Sequence, residues 1–393
     1  MNKIFKAFLS GLILPCLGAM GTPHKFSSAK FRRENPEPLR FGADGKFRIL
    51  HLTDIHDVEP EMDDDENREI PESRDKETLN VIEELVEKTK PDLVVFGGDN
   101  ISGYWEEFTY DLVKSTIQKI TAPIRERNIP LCIVFGNHDG EEGFHTEFQM
   151  MQYMEYPNCR SNLNDADVYG CGNCCVTIKN SADDKDTFAI WLIDSNDYQR
   201  NSQGGLSYDC VHDDQIDWYE KRSKELADEN GGKPVPAILF QHMPVIQEYD
   251  LMREAKPYEF FWSVPGFIGP LENKRFVKKD GVEGYLGEGP CSPAIDKGQF
   301  SSWKKVGDVK AAFFGHDHLN DFTGVVDDII LGQNKTSGFH AYTDGCKATI
   351  RMITVDENEP DKINTRIYHF KDLGLQRESL GFVARNFSDR TLL

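Results

Sequence analysis

Short apolar runs, rich in β-branched and aromatic residues, recur along the chain, and each of them ends in a cluster of polar residues. Their length and composition predict buried strands of a mostly parallel sheet. With the polar residues that follow, the runs are FRILHLTDIH, DLVVFGGDN, PLCIVFGNHDG, TFAIWLIDSN, PAILFQHMP and VKAAFFGHDH.

Apolar residues at helical spacing fill several of the intervals between these runs, at residues 75–90, 110–120 and 213–226. Strands that alternate with helices predict a layered α/β domain. Residues 338–372 predict antiparallel strands that close the second sheet. Residues 243–300 show no regular period but contain the aromatic segment YEFFWSVPGFIGP. This segment either shapes a substrate pocket or forms a loop folded over the sheet.

The polar residues at the strand ends are of the types that bind metal ions, and sheets of this kind bind ligands beyond the carboxyl ends of their strands. Imidazole, carboxylate and amide oxygen together suit Zn, Fe or Mn. A single histidine in such a place is more often a core residue, but repeated clusters are hard to explain by packing. The candidate ligands are Asp54, His56, Asp99, Asn137, His242, His316 and His318.

Seven candidate ligands exceed what one ion with an open coordination position needs, so the sequence predicts two ions. Asp99 is the natural bridge between them, because a carboxylate has two oxygens to share.

Among the features of the composition, the net charge restricts the possible partners and substrates more than the hydrophobic content does. A hydrophobic content of 39% in 393 residues is enough for a core. The net charge of −21 disfavours nucleic acid and anionic lipid as partners. It would also repel an anionic substrate, unless cations in the site reverse the local field.

The N-terminus has the pattern of a secretory signal peptide over residues 1–21, with Lys3 and Lys6 before an apolar stretch too short to span a bilayer. We therefore expect secretion, or residence in the lumen of the secretory pathway or a vacuole, with no stable membrane span. A membrane anchor is the alternative interpretation.

Eight cysteines remain once Cys16 is removed with the signal peptide, and an even number in a secreted chain favours disulfides. A zinc knuckle at Cys171, Cys174 and Cys175 is the competing interpretation. Glycosylation motifs at Asn334 and Asn386 predict a glycoprotein.

The strand-end motifs resemble, in order, the signature of the calcineurin-like metallophosphoesterases, over about residues 46–320. The stretches GHDHLNDFTG and CSPAIDKGQF further resemble the purple acid phosphatase 29 and Dcr2-like branch of that superfamily. The matching motifs are DIH (54–56), GGDN (97–100), GNHD (136–139), QH (241–242) and GHDH (315–318).

This resemblance implies an α/β fold, a four-layer αββα sandwich of two mixed β-sheets flanked by helices. The phosphoesterase domain would occupy residues 46–372, after a linker at 22–45 and before a C-terminal tail at 373–393.

The resemblance also implies a role for each site residue. His138 would face the phosphate as the proton donor to the leaving group, and Asp139 would set the orientation of its ring. One ion would be bound by Asp54, His56 and His318, the other by Asn137, His242 and His316, with Asp99 bridging.

The implied activity is a dinuclear metal-dependent phosphatase that hydrolyses phosphate monoesters by attack of a metal-bound hydroxide. Its substrate would be small and phosphorylated, and its ions Fe, Zn or Mn. A phosphodiesterase with the same metal core and a non-catalytic relative that binds metal or phosphate remain alternatives. Ser102 occupies the place of the metal-binding tyrosine of true purple acid phosphatases, so no tyrosinate-to-iron charge transfer is expected.

Overall fold

The computed structural model describes most of the chain between residues 36 and 374. The predicted signal peptide, Ser102, Asn386 and most of the predicted C-terminal tail lie outside the described residues. Within the described part, no helix combines the length and the apolar character needed to cross a bilayer. The described ranges are 36–57, 72–101, 109–141, 145–200 and 204–374.

Every predicted strand and helix is present in the structure. In chain order the strands are β1 (Leu39–Arg40), β2 (Lys46–Leu52), β3 (Leu93–Gly97), β4 (Leu131–Val134), β5 (Cys174–Lys179), β6 (Asp186–Leu192), β7 (Tyr198–Arg200), β8 (Leu206–Tyr208), β9 (Ala237–Phe240), β10 (Met252–Glu254), β11 (Val264–Pro265), β12 (Arg275–Lys278), β13 (Val309–Phe314), β14 (Thr323–Val326), β15 (Ile329–Gln333), β16 (Thr349–Asp356) and β17 (Asn364–His369). The helices are α1 (Glu72–Thr89), α2 (Tyr110–Glu126), α3 (Thr146–Met154), α4 (Asp213–Glu229) and α5 (Gln299–Val306).

Two large mixed sheets form the centre of the fold. The first has the order β17–β16–β2–β3–β4. Strands β2, β3 and β4 are parallel to one another, and β16 is antiparallel to both of its neighbours, β2 and β17. The second has the order β1–β5–β6–β9–β13–β15–β14, with β6, β9, β13 and β15 parallel. The two predicted tail strands are β16 and β17, and they extend the first sheet next to β2 rather than closing the second sheet as predicted.

Three apolar cores hold the layers together. Phe47 and Val95 of the first sheet pack between the sheets with Phe240 and Phe313 of the second. Helices α1 and α2 cover the outer face of the first sheet, and α4 and α5 cover the outer face of the second. The αββα sandwich predicted from the sequence is therefore confirmed. Strand β1 lies within the predicted linker and pairs with β5. The domain boundaries themselves stay predictions.

The expectation of disulfides is wrong for the seven cysteines whose side chains the structure describes, because all seven are free thiols. Three neighbours in sequence separate in space: Cys171 joins the core on the α3 side of the first sheet, Cys174 lies between the sheets, and Cys175 packs on the α4 side of the second sheet. Alternation along β5 sends adjacent side chains to opposite faces. The same separation contradicts a zinc knuckle formed by these three residues.

The predicted glycosylation site at Asn334 is also wrong, because its side chain is buried and its Nδ2 donates to the His51 carbonyl at 2.9 Å. Asn100, which begins a third motif of this kind, is buried as well. Its Nδ2 donates to the Val134 carbonyl at 3.0 Å. Neither amide is accessible for a glycan in the folded chain.

Candidate metal centre

The predicted ligands meet where the parallel strands of both sheets end. The backbone there turns sharply, and four of the ligands have positive φ angles, a conformation that is uncommon outside glycine. Such turns direct the side chains of successive strand ends to one place, and residues under this strain cluster at functional sites. The four are Asp54 (φ 53°), His56 (47°), Asp99 (49°) and His316 (71°).

Two glycines of the motifs are required by this close packing. A Cβ atom on Gly315 would lie 2.0 Å from Thr53 Oγ1, and one on Gly136 would lie 2.1 Å from Asp99 Oδ1. Real Cβ atoms do not approach so closely, so any larger residue would displace a ligand or its neighbour. The glycines of GHDH and GNHD therefore serve the geometry of the site.

Asp54, His56 and His318 form the first cluster, and all three are buried. The Nε2 atoms of the two histidines lie 3.2 Å apart, and His318 Nε2 lies 3.3 Å from Asp54 Oδ1. Nitrogens bound tetrahedrally to one zinc ion at 2.0–2.1 Å would be about 3.3 Å apart. The spacing therefore fits a shared ion.

The second cluster brings together Asp99, His242 and His316, again fully buried. Asn137 belongs beside them: its Nδ2 donates to the Tyr198 hydroxyl at 2.9 Å, which fixes the amide and leaves Oδ1 available as a ligand. Among the described residues, neither Asn137 Oδ1 nor His316 Nε2 has a hydrogen-bond partner. Buried polar atoms without partners are costly, and a bound cation would satisfy both.

Asp99 connects the two clusters through a single oxygen. Its Oδ1 accepts a hydrogen bond from the His138 backbone N–H at 2.8 Å. Its Oδ2 lies 3.0 Å from His242 Nε2 and 3.6 Å from His56 Nε2, which belong to different clusters. The bridging position predicted for Asp99 is therefore geometrically available, with Oδ2 rather than both oxygens facing the site.

Backbone carbonyls hold two of the imidazoles in the orientation that a metal ligand needs. His242 Nδ1 lies 2.9 Å from the Gly97 carbonyl, and His318 Nδ1 lies 2.8 Å from the Tyr342 carbonyl. Since a carbonyl accepts, the proton sits on Nδ1 and Nε2 presents its lone pair to the centre.

The electrostatics of the pocket suit ligation. Burial lowers the pKa of His56 and of His316 to about 3, so both rings are neutral at physiological pH. Burial acts to raise the pKa of Asp54, but nearby His242 and His318 outweigh it and bring that pKa to about 2. The site therefore offers two neutral imidazoles and an ionised carboxylate, the forms that bind metal ions. Burial acts to lower the pKa of His242, but the nearby Asp99 and Asp54 outweigh it and raise that pKa to about 9, so a bound cation would have to displace the proton on this ring.

His316 and His318 belong to different clusters, and the carboxylate of Asp317 between them makes its hydrogen bonds outside both clusters. The Asp317 carboxylate accepts from the Cys291 backbone N–H at 3.1 Å and from Gln333 Nε2 at 2.8 Å. Two histidines one residue apart can thus supply one ligand to each candidate ion, as predicted from the motif.

His138 stands at the edge of the centre, with its ring centroid 5.2 Å from that of His56. Its Nδ1 lies 2.7 Å from Glu141 Oε2, and Glu141 Oε1 accepts from the Tyr198 hydroxyl at 2.8 Å. Tyr198 in turn binds the Asn137 amide. One chain of hydrogen bonds therefore joins the predicted proton donor to the candidate ligand Asn137.

The sequence predicts that Asp139 orients His138, but the hydrogen bonds of its carboxylate go to backbone N–H groups. Asp139 Oδ1 accepts from the backbone N–H groups of Asn100 at 2.9 Å and Ile101 at 3.1 Å, and Oδ2 accepts from Gly136 at 2.8 Å. Its carboxylate thus joins the loops that carry Asp99 and Asn137. Glu141 makes the contact with the His138 ring that was expected of Asp139. The only sequence signal for this was an acidic residue three positions after His138, at turn spacing.

Family comparison agrees with this geometry. The family model described as calcineurin-like phosphoesterase matches residues 47–320, which is more than half of the chain. The chain belongs to the calcineurin-like phosphoesterase family. The resemblance predicted from the five motifs is therefore confirmed.

Similar curated proteins come from plants and yeast. "Probable inactive purple acid phosphatase 14" of Arabidopsis thaliana is 31% identical over 342 residues, which cover 82% of this chain and 78% of the relative. "Probable inactive purple acid phosphatase 29" of the same plant is 29% identical over 378 residues, covering 91% and 86%. "Phosphatase DCR2" of Saccharomyces cerevisiae is 26% identical over 308 residues, covering 76% of this chain and 48% of that protein.

Proposed function

We propose that this member of the family is a phosphatase that hydrolyses phosphate monoesters at a dinuclear metal centre. The observation that carries the proposal is the pair of buried ligand clusters on either side of Asp99 Oδ2. A single structural ion would not need both clusters. The ions would be Zn, Fe or Mn, because the donors are imidazole, carboxylate and amide oxygen.

The residues that would hold the ions are those of the two clusters together with Asn137. Bound metal ions in such a pair supply a water that ionises near neutral pH and positive charge for the oxygens of a transferring phosphoryl group. The cations also explain how a chain of net charge −21 accepts an anionic substrate.

The protein's own part of the reaction falls to His138 and Glu141. The Glu141 carboxylate, 2.7 Å from Nδ1, stabilises the doubly protonated ring of His138. Such a ring can give its other proton to the leaving alkoxide as the ester bond breaks. Tyr198 holds Glu141 in place through the 2.8 Å hydrogen bond from its hydroxyl.

Three of the similar proteins bear the word "inactive" in their names, and another is named a phosphatase. Loss of activity in a metallohydrolase usually follows loss of ligands, but all seven candidate ligands of this chain are present and converge. This supports catalysis over the non-catalytic alternative.

The test compares hydrolysis of an aryl phosphate monoester with hydrolysis of the matching bis-ester. Purified chain is stripped of metal, reloaded with Zn, Mn or Fe, and its metal content is measured beside its rates. His138→Ala is the informative variant, and His369→Ala, which removes an exposed histidine at the end of β17, is the matched control.

We expect about two ions per chain, faster hydrolysis of the monoester, and loss of rate in His138→Ala alone. Faster hydrolysis of the bis-ester would overturn the monoester assignment in favour of a phosphodiesterase. Binding of two ions with neither activity would make the chain a non-catalytic metal-binding relative.

A further inference from the structure

Residues 257–262, between β10 and β11, reverse the usual arrangement of polar and apolar side chains. This short 3₁₀ turn has the sequence PYEFFW, and its only charged residue, Glu259, is buried at 8% exposure. The exposed fractions of its aromatic residues are 65% for Tyr258, 56% for Phe260, 90% for Phe261 and 67% for Trp262. Contiguous exposed apolar surface of this kind marks an interaction site.

The exposure is built into the fold. The buried Glu259 carboxylate receives two hydrogen bonds from Arg253, at 2.7 and 2.8 Å, and one from the Lys256 backbone N–H at 2.7 Å. At the other end of the turn, Ser263 Oγ donates to the Phe260 carbonyl and accepts from Arg275 Nε at 2.8 Å. These contacts fix the turn from beneath, so that its rings point away from the protein.

Cations lie beside the rings. The Arg275 guanidinium lies 4.6 Å from the Phe260 ring centroid, and the Lys256 ammonium lies 5.9 Å from that of Tyr258. Lys256 makes no ion pair with any described residue. Residues 252–278, which contain the small antiparallel sheet β10–β12–β11, have five basic and three acidic residues in a chain of net charge −21.

We propose that the turn 257–262 docks this protein on the headgroup region of a lipid bilayer. Tryptophan, tyrosine and phenylalanine next to lysine or arginine are the residues that favour this region, where rings enter the acyl boundary and cations meet lipid phosphates. A single projecting turn, with Phe261 almost fully exposed, suits insertion into a soft interface better than it suits a flat protein surface.

Overall charge does not exclude such docking. Charges more than about 8 Å apart in solution are largely screened at physiological ionic strength, so the local balance around the turn governs its contact with the bilayer. Phe267, which follows β11 in the chain, lies against Tyr208, and Tyr208 packs edge-on against His316.

The test is co-sedimentation of the full purified chain with vesicles of phosphatidylcholine, with and without phosphatidylserine. Phe261→Ser combined with Trp262→Ser removes the most projecting rings, and Val325→Ser removes an apolar side chain of similar exposure (62%) on β14. Thermal unfolding of each variant checks that the fold is intact, independently of any enzymatic activity.

We expect the unaltered chain and Val325→Ser to sediment with the vesicles, and the double variant to lose about tenfold or more in partition. Lys256→Glu should weaken binding more on vesicles with phosphatidylserine than on those without it. Absence of vesicle binding by the unaltered chain, or equal binding by the double variant, would overturn the proposal. So would a dimer in analytical ultracentrifugation that the double variant abolishes, because the turn would then join two copies of the chain.

Discussion

The metal centre and the aromatic turn 257–262 have opposite arrangements of polar and apolar side chains. At the centre, polar and charged side chains are buried, and their unsatisfied atoms face one another. At the turn, apolar rings are exposed while a carboxylate is buried beneath them. Both arrangements cost free energy in the isolated chain. We propose that each region is completed by something outside the chain: cations in the first case and a bilayer in the second.

Loss of the predicted bridging carboxylate should have the largest effect of all, and this effect falls on the metal centre. Asp99→Ala removes the oxygen that faces both clusters, so we expect loss of bound metal together with nearly all hydrolysis. Metal analysis and aryl phosphate hydrolysis on the same preparation measure both. A variant that kept two ions and full activity would show that Asp99 does not bridge.

His138→Ala should separate rate from metal binding. The ring lies outside both ligand clusters, so metal content should be unchanged, whereas kcat should fall by about 10²–10⁴-fold through loss of the proton donor. The loss should be smaller for an ester with a good leaving group, which needs less protonation. Equal losses for good and poor leaving groups would argue against proton donation by His138.

Glu141→Gln tests the positioning role that the structure assigns to this residue in place of Asp139. The amide keeps much of the volume but loses the charge beside His138 Nδ1, so we expect kcat to fall by about tenfold with KM and metal content unchanged. Tyr198→Phe, which removes the hydroxyl that holds Glu141, should show a smaller change in the same direction. An unchanged kcat in Glu141→Gln would show that other contacts orient the His138 ring.

A buried carboxyl outside both ligand clusters and the aromatic turn sets a pH dependence of stability. Burial raises the pKa of Glu248 from its ordinary 4.5 to about 8, although Gln333 Nε2 donates to it at 2.8 Å. The native state therefore keeps a proton that the unfolded chain releases between pH 4.5 and 8, and stability falls as pH rises through that window.

Glu248→Gln should remove this dependence while keeping an acceptor for Gln333. We expect the free energy of unfolding of the variant to exceed that of the unaltered chain by about 1–3 kcal/mol at pH 8–9, and to differ little at pH 5. Urea unfolding of both proteins at each pH measures this difference. A parallel pH dependence in both proteins would place the titrating group elsewhere.

The smallest effect belongs to the aromatic turn. Phe261→Ser and Trp262→Ser replace rings that are 90% and 67% exposed, so the free energy of unfolding should change by no more than about 0.5 kcal/mol. Hydrolysis of a soluble aryl phosphate should not change. Urea unfolding and a rate assay of the double variant check this, and a loss of several kcal/mol would mean that the rings stabilise the fold.

The sequence by itself determined the architecture and the set of candidate ligands. Apolar runs of strand length, interleaved with helical periods, specify the layers because local periodicity decides which face of each element is buried. The motifs at the strand ends fix ligand types and order, and the topology of parallel strands brings their ends to one edge. Asp54, Asp99 and His316 were found in this way although they are far apart in the chain.

Only the tertiary structure decided the contacts that depend on distance rather than on pattern. Glu141 replaced Asp139 beside His138, because the Asp139 carboxylate is taken up by backbone N–H groups of another loop. Cys171, Cys174 and Cys175 went to three different cores. Exposure of Phe261 likewise depends on how the turn sits on β10 and β12. In each case the outcome rests on packing between segments distant in sequence, which a local pattern does not encode.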